Sequence, residues 1–325
     1  MSSGVPRNHH WVPQCYLKGF SKSRSKNAQL HVIDAVVQRH FTTVPRNVAS
    51  ARDFNRVEIA GFDPNRVESD MAKFECMVDK ALERICAANA IRNAMDFNLL
   101  LNLIALLAVR NPSMRENIRQ VEEQSTKAFI ARSMATSQDF DTVYEAAIRA
   151  GALSADDKLS YDEMRKFIDQ DRYTIEVPTT QHVELEFELV DTILPLLGAR
   201  RWRILRAGTG TGGFITSDHP VVLQWIQHAS NTTPCSPGFG LRNTEVVFPV
   251  SHELAVVGTF SGRGGLEVAS EHDVAWINGV IIAHGWRQIY ARDDGFRYLA
   301  RDGNVRHGIN ALRDLPKPPS KRTKT

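Results

Sequence analysis

Residues 8–20 read N-H-H-W-V-P-Q-C-Y-L-K-G-F. Within them Asn8, His10 and Gln14 combine an imidazole, which transfers protons near neutral pH, with two amides that can hydrogen-bond a ligand. Trp11, Pro13 and Tyr16 are the expected anchors of that segment. A second stretch, Phe214–Val221 (F-I-T-S-D-H-P-V), reads as a strand ending in Ser217, Asp218 and His219. A carboxylate presented at a strand end can ligate a metal or act as a base. The competing reading is turn chemistry, in which Ser217 and Asp218 accept nearby backbone N–H groups and Pro220 fixes the bend. Third, Arg110 closes an otherwise apolar helix, where a guanidinium either clamps a phosphate or caps the helix carbonyls. Glu75 is the inward-facing partner expected for Arg110 and, with Asp218, one of two candidate metal ligands.

Convergence of these residues in one pocket would define a hydrolase acting on a phosphate-containing substrate. Arg110 would hold phosphate, Asp218 would orient water or a divalent metal, and His10 would transfer protons beside Gln14; Asn8, Ser217 and His219 would contact substrate. A metal-dependent nuclease is the specific form of that expectation, with a divalent metal as cofactor and nucleic acid or a nucleotide as partner. The rival is a non-enzymatic ligand- or partner-binding protein in which the same residues form a structural polar network.

Other motifs carry less. Gly208–Gly213 matches G-x-G-x-x-G, but a dinucleotide fingerprint must open a helix, whereas Phe214-Ile215-Thr216 continues as strand. His182 and Glu186 share one helical face without the second histidine of a zinc-protease motif, so an ordinary surface face is expected. No G-x-S-x-G, papain-like cysteine signature or zinc-finger spacing occurs.

Hydrophobic periodicity supplies the elements that must position these side chains. Gln29–Phe41 reads as strand, turn at Asp34, strand; Arg66–Ala88 as an amphipathic helix; Phe97–Asn111 as a central helix stopped before Pro112. Met114–Ala150 reads as polar helix broken near Thr136–Asp141, then come a short helix over Tyr161–Gln170, a short strand over Tyr173–Val177 and a helix from His182 to Leu197. Beyond Arg200 the chain turns β-rich: Trp202–Leu205, Gly213–Thr216, Val221–Trp225, Glu245–Val250, Leu254–Phe260 and Arg287–Arg292 are expected strands, with a helix over Asp273–His284. Helices before strands predict an α+β fold: a mostly antiparallel sheet from the C-terminal half plus the N-terminal hairpin, packed on a helical N-terminal half. One compact domain over 1–315 is expected, helical over about 65–198 and β-rich over about 28–55 and 200–292. The opening arm should dock on the sheet near Asp218.

Composition bounds the class. The 325 residues are 42% hydrophobic and 24% charged, as in soluble globular proteins. The net charge of +3 is misleading, because the tail 316–325 carries four basic residues and no acids, leaving the body near neutral. That tail, rich in Pro and Lys, is expected to be disordered. Cys15, Cys76, Cys86 and Cys235 show no C-x-x-C spacing, and Cys76 and Cys86 lie too far apart along one helix for a disulfide. With no apolar leader over Met1–Gly19 and no membrane-length apolar run, a cytoplasmic protein with no membrane partner is expected.

Taken in order, these motifs resemble an uncharacterised family, domain of unknown function 4238. Its opening pattern matches His10-Trp11-Val12-Pro13-Gln14-Cys15-Tyr16-Leu17-Lys18-Gly19-Phe20. Val44-Pro45-Arg46-Asn47-Val48 and Asp53-Phe54 resemble its post-hairpin segment, with Asn55 where a tyrosine is often found. Phe74-Glu75 resembles its first-helix acid and Arg110-Asn111-Pro112 its R-x-P, although a glutamine expected one turn earlier is missing. Trp202–Leu205, Phe214–Val221, Phe248-Pro249 and Ile277-Asn278 resemble its late segments. The resemblance implies one compact unit of about this length and a mostly bacterial, cytosolic setting, in some members beside genes for defence against mobile elements. It implies no particular activity.

Overall fold

The computed structural model describes residues 7–154, 160–171, 173–226 and 236–316. The basic tail expected to be disordered lies outside the described residues from 317 on, as does Cys235. The chain divides into two compact units, Met1–Ser113 with Val183–Thr325, and the stretch Met114–His182 between them. A single unit over 1–315 was the expectation from sequence. Both boundaries fall inside continuous helices rather than in Pro- or Gly-rich linkers, so composition does not announce them.

The larger unit begins with a short strand β1 (Asn8–His10), a helical turn α1 (Gln14–Leu17), the hairpin β2 (Leu30–Asp34) and β3 (Arg39–Thr43), and strand β4 (Ser50–Arg52). Helix α2 spans Arg66–Ala88 and ends on Asn89 in the left-handed region, φ +48°. Helix α3 (Ala94–Val109) starts at Asn93, whose side chain accepts the Asp96 N–H, and is buried from Leu103 to Val109 without interruption. Its apolar composition on all sides is what a central helix requires.

The smaller unit is helical: most of α4 (Pro112–Ser133), then α5 (Ser137–Arg149) and α6 (Tyr161–Asp169). The break near residue 136 arises because Thr136 caps α5 by accepting the Asp139 N–H, and Ser160 with Glu163 forms a capping box on α6. Tyr173–Val177 forms no strand. The alternation there has no strand to pair with inside an all-helical unit, and Pro178 follows it.

The chain returns through α7 (Thr179–Gly198) to β5 (Arg201–Ala207), β6 (Thr216–Ser217), β7 (Val222–Trp225), β8 (Thr244–Pro249), β9 (Leu254–Thr259) and β10 (Gly265–Ala269). Helix α8 (Glu271–His284), strands β11 (Gln288–Ala291), β12 (Arg297–Leu299) and β13 (Val305–His307) and a last turn α9 (Ala311–Asp314) complete it. The fold class is α+β as expected, but the strands form two larger sheets rather than one. The five-stranded sheet has the order β10-β5-β9-β8-β7 and the four-stranded sheet β3-β2-β11-β6. Among the described residues only β10 pairs in parallel, with β5. The N-terminal hairpin thus joins β11 and β6. Strand β6 starts only at Thr216, since Gly212 and Gly213 hold positive φ and a Cβ on Gly213 would lie 2.2 Å from the His252 ring. The G-x-G-x-x-G stretch is therefore a packed loop between two strands and opens no helix.

One core cluster joins arm residues Val12, Tyr16, Leu17 and Phe20 to α2, α3 and one face of β8 and β9; a second packs α8 against the opposite residues of both sheets. Each large side chain removed from water there contributes about 1.5–3 kcal/mol. Among the described residues no single helix is long and apolar enough to cross a membrane.

Candidate acid–base site

The opening arm is held by a polar network built around the end of α3. Strand β1 pairs antiparallel with β4, His9 opposite Ala51 and His10 opposite Ser50. Arg110 follows the last turn of α3 and is almost fully buried, 3% exposed. Its Nη2 donates to the His10 carbonyl at 2.7 Å and its Nε to Asn55 Oδ1 at 3.2 Å. The Asn55 amide Nδ2 donates to Glu68 Oε2 on α2 at 2.7 Å, and the Asn55 backbone N–H donates to His9 Nδ1 at 2.9 Å. Because His9 Nδ1 accepts, its ring carries the proton on Nε2. His9 and Asn55 have no exposed surface. The hydrogen bonds of Arg110 to the His10 carbonyl and to Asn55 Oδ1 offset part of the cost of burying its charge in this inner half.

The outer half is open. His10 and Gln14 are half-buried, with His10 Nε2 and Gln14 Nε2 3.1 Å apart. Burial lowers the His10 pKa below its usual value, opposed by the charge of Glu68, so the ring is neutral at pH 7. Glu75 lies two turns beyond Glu68 on α2, on the same helical face. It is half-buried and accepts no hydrogen bond among the described residues. Burial pushes its carboxyl up to about 7, opposed by the Arg110 charge and reinforced by Glu68. Nearby Cys15 is buried and its thiol is pushed far up, by burial first and then by the Glu75 and Asp79 charges, so it is no nucleophile.

The structure therefore links His10 and Gln14 to Arg110, puts Glu75 within reach of the Arg110 charge, and places the other expected site residues elsewhere. Asp218 belongs to a second network. Its Oδ1 accepts the Trp286 N–H at 3.0 Å, and its Oδ2 accepts those of Arg287 and Gln288 at 2.9 and 3.1 Å. Asp218 is 3% exposed, and burial pushes its carboxyl up to about 7 against those three donors. Ser217 Oγ accepts the His219 N–H at 3.1 Å. His219 is pushed down to about 4, chiefly by burial. Asp218 and Ser217 thus supply turn chemistry, Asp218 tying the end of β6 to the start of β11 through three backbone N–H groups. Asn8 stands exposed on β1, opposite Arg52. The arm does reach the β6 strand as expected, but through Tyr16, whose hydroxyl lies 2.7 Å from both Thr216 Oγ1 and the Pro249 carbonyl. His182 and Glu186, expected on an exposed face, are buried at 8% and 3% exposure. Among the described residues no group of three or more His, Cys, Asp or Glu side chains is placed to hold a metal ion.

Sequence reasoning missed His9, Asn55 and Glu68. The signals were present: a second histidine beside His10, and an asparagine where the resemblance leads one to expect tyrosine.

Fold and site together define an α+β protein whose N-terminal arm is pinned by a buried arginine that bonds the His10 carbonyl and lies within electrostatic reach of the Glu75 carboxyl. The family described as a protein of unknown function, DUF4238, matches residues 8–295, and the chain belongs to it. No curated protein and no solved structure matches the chain.

Proposed function

We propose that the chain is a hydrolase acting on a phosphate-containing substrate, with RNA, DNA or a nucleotide as the substrate class, and that its acid–base pair is Glu75 and His10. The observation that carries this reading is the Glu75 carboxyl, held near pKa 7 on a half-buried helix face within reach of the Arg110 charge, while Arg110 in turn bonds the backbone of His10, whose own pKa burial lowers. Two groups whose environments push their protonation apart are what acid–base catalysis needs. His10 takes a proton from water as its oxygen attacks phosphorus, and protonated Glu75 gives its proton to the oxygen that leaves as the P–O bond breaks. Arg110 supplies positive field and fixes the arm through the His10 carbonyl. Its guanidinium is too deeply committed to act as an open clamp. Gln14 orients the His10 ring. A nuclease of this kind would suit the defence setting that the family resemblance suggests.

The test is hydrolysis of RNA, DNA, nucleotides and a chromogenic phosphodiester by the purified chain, with Mg²⁺, Mn²⁺ or chelator. Glu75→Gln and His10→Ala should each lower kcat/KM by about 10²–10⁴, and the wild type should show a bell-shaped pH profile. Equal rates from all three proteins would remove the hydrolase reading. A second reading, a binding protein, is favoured by the buried, hydrogen-bonded His9–Asn55–Arg110 half; it predicts nucleotide binding without turnover.

A further inference from the structure

The β2–β3 hairpin carries a pair of nitrogen donors that the acid–base site does not use. His31 lies opposite Thr42 and His40 opposite Ile33 in the antiparallel ladder, so the pleat puts both imidazoles on one face of the sheet. His31 Nε2 and His40 Nδ1 are 3.4 Å apart, with ring centroids 5.6 Å apart and planes tilted by 44°. Both residues are half-buried. Strand β11 runs beside β2 with Ala291 opposite His31, which brings Asp293 and Asp294, just beyond β11, to the same end of the sheet. Both carboxylates favour the charged form of His31, and Asp294 that of His40, yet burial outweighs them and both pKa values fall. The two rings are therefore neutral near pH 7, each with one lone pair available for a metal.

The separation is informative. It is long for a hydrogen bond from one ring to the other. It fits two ligands on one tetrahedral ion, because Zn–N bonds of 2.0–2.1 Å at the tetrahedral angle put the nitrogens about 3.3–3.4 Å apart. A square-planar ion would bring adjacent nitrogens to about 2.9 Å. We propose that His31 and His40 form a two-imidazole site for a zinc-type divalent transition metal, with water completing the tetrahedron and Asp293 and Asp294 supplying counter-charge. Bound there, the ion clamps edge strand β3 to β2. Nitrogen donors disfavour hard cations such as Mg²⁺. The inference is independent of the Glu75–His10 reading.

The full chain is titrated with ZnCl2 and with MgCl2 by calorimetry, beside His31→Gln and His40→Gln, each checked for fold by circular dichroism. Zinc-edge X-ray absorption of the loaded wild type reports the ligands directly. One saturable zinc with two imidazole nitrogens at about 2.0–2.1 Å is expected, together with a raised Tm and no Mg²⁺ isotherm. Either variant should bind at least about 10-fold more weakly, since even losing an outer-shell partner costs 10–100-fold. Absence of saturable zinc binding, a ligand shell without imidazole, or a folded variant that binds as tightly as wild type overturns the assignment. If His31→Gln does not fold, the edge-strand variant His40→Gln and the wild-type absorption spectrum decide it.

Discussion

Glu75 and Asp218 share a raised carboxyl pKa of about 7, yet their surroundings assign them opposite roles. Asp218 offers both oxygens to three backbone N–H groups; Glu75 offers its oxygens to no described donor. Replacing Asp218 by Asn sets an NH₂ group against backbone N–H donors. A loss of about 1–3 kcal/mol, read as a Tm lowered by several degrees, should follow, with kcat/KM on any substrate found for the wild type kept at permissive temperature. Glu75 leaves a different signature. Its folded pKa of about 7 exceeds its ordinary 4.5, so the native state holds the extra proton between those pH values. The stabilisation is complete below pH 4.5 and is lost as pH rises to about 7. Glu75→Gln should remove that loss, gaining on the wild type by up to about 3 kcal/mol between pH 4.5 and 8, less for the part of the carboxyl open to water. Urea unfolding at a series of pH values measures the difference, and parallel wild-type and variant curves would contradict it. At this scale residue type and neighbours singled out His10, Gln14, Arg110 and Glu75, but the deep burial of Arg110 and its bonds to Asn55 and the His10 carbonyl were not readable. For Asp218 the sequence carried both readings, and only the position of the Trp286–Gln288 backbone separates them.

Elements set those neighbours. Tyr16 on α1 reaches Thr216 at the start of β6 and Pro249 at the end of β8, and its ring stacks on Phe248 at 5.1 Å. Tyr16→Phe keeps the ring and removes the hydroxyl, leaving a buried Pro249 carbonyl short of this donor. The expected cost is about 1–3 kcal/mol in denaturant unfolding, and an unchanged midpoint would show the hydroxyl to be idle. Helices α2, α3 and α7 were recoverable from periodicity because each shows a burial stripe, or burial all round, longer than ten residues. Strand β10 was not: four of its five residues are exposed, Leu266 and Val268 among them, so it has no inward alternation to read. Strands β12 and β13 are three residues each, too short for any period to register.

For the molecule as a whole, segregation of helices and strands along the chain predicted α+β correctly, because sheet and helix content are sums over many residues. The partition into two units was hidden, because helices α4 and α7 run through its boundaries. The units differ in core. Helices α4 and α6 contain no buried residue and α5 only Phe140, whereas α3, β8 and β9 are buried along most of their length. Amides of α4–α6 should therefore exchange with deuterium well before those of α3 and β8–β9. Uniform protection across the chain would contradict this.

The hydroxyl of Tyr16 finds its acceptors 200 and 233 positions later. At about 5–20 residues per second, the ribosome delivers those acceptors roughly 10–50 s after the tyrosine has emerged. For that interval the nascent arm must wait undocked, its aromatic rings open to chaperones, and it docks only once the later strands exist.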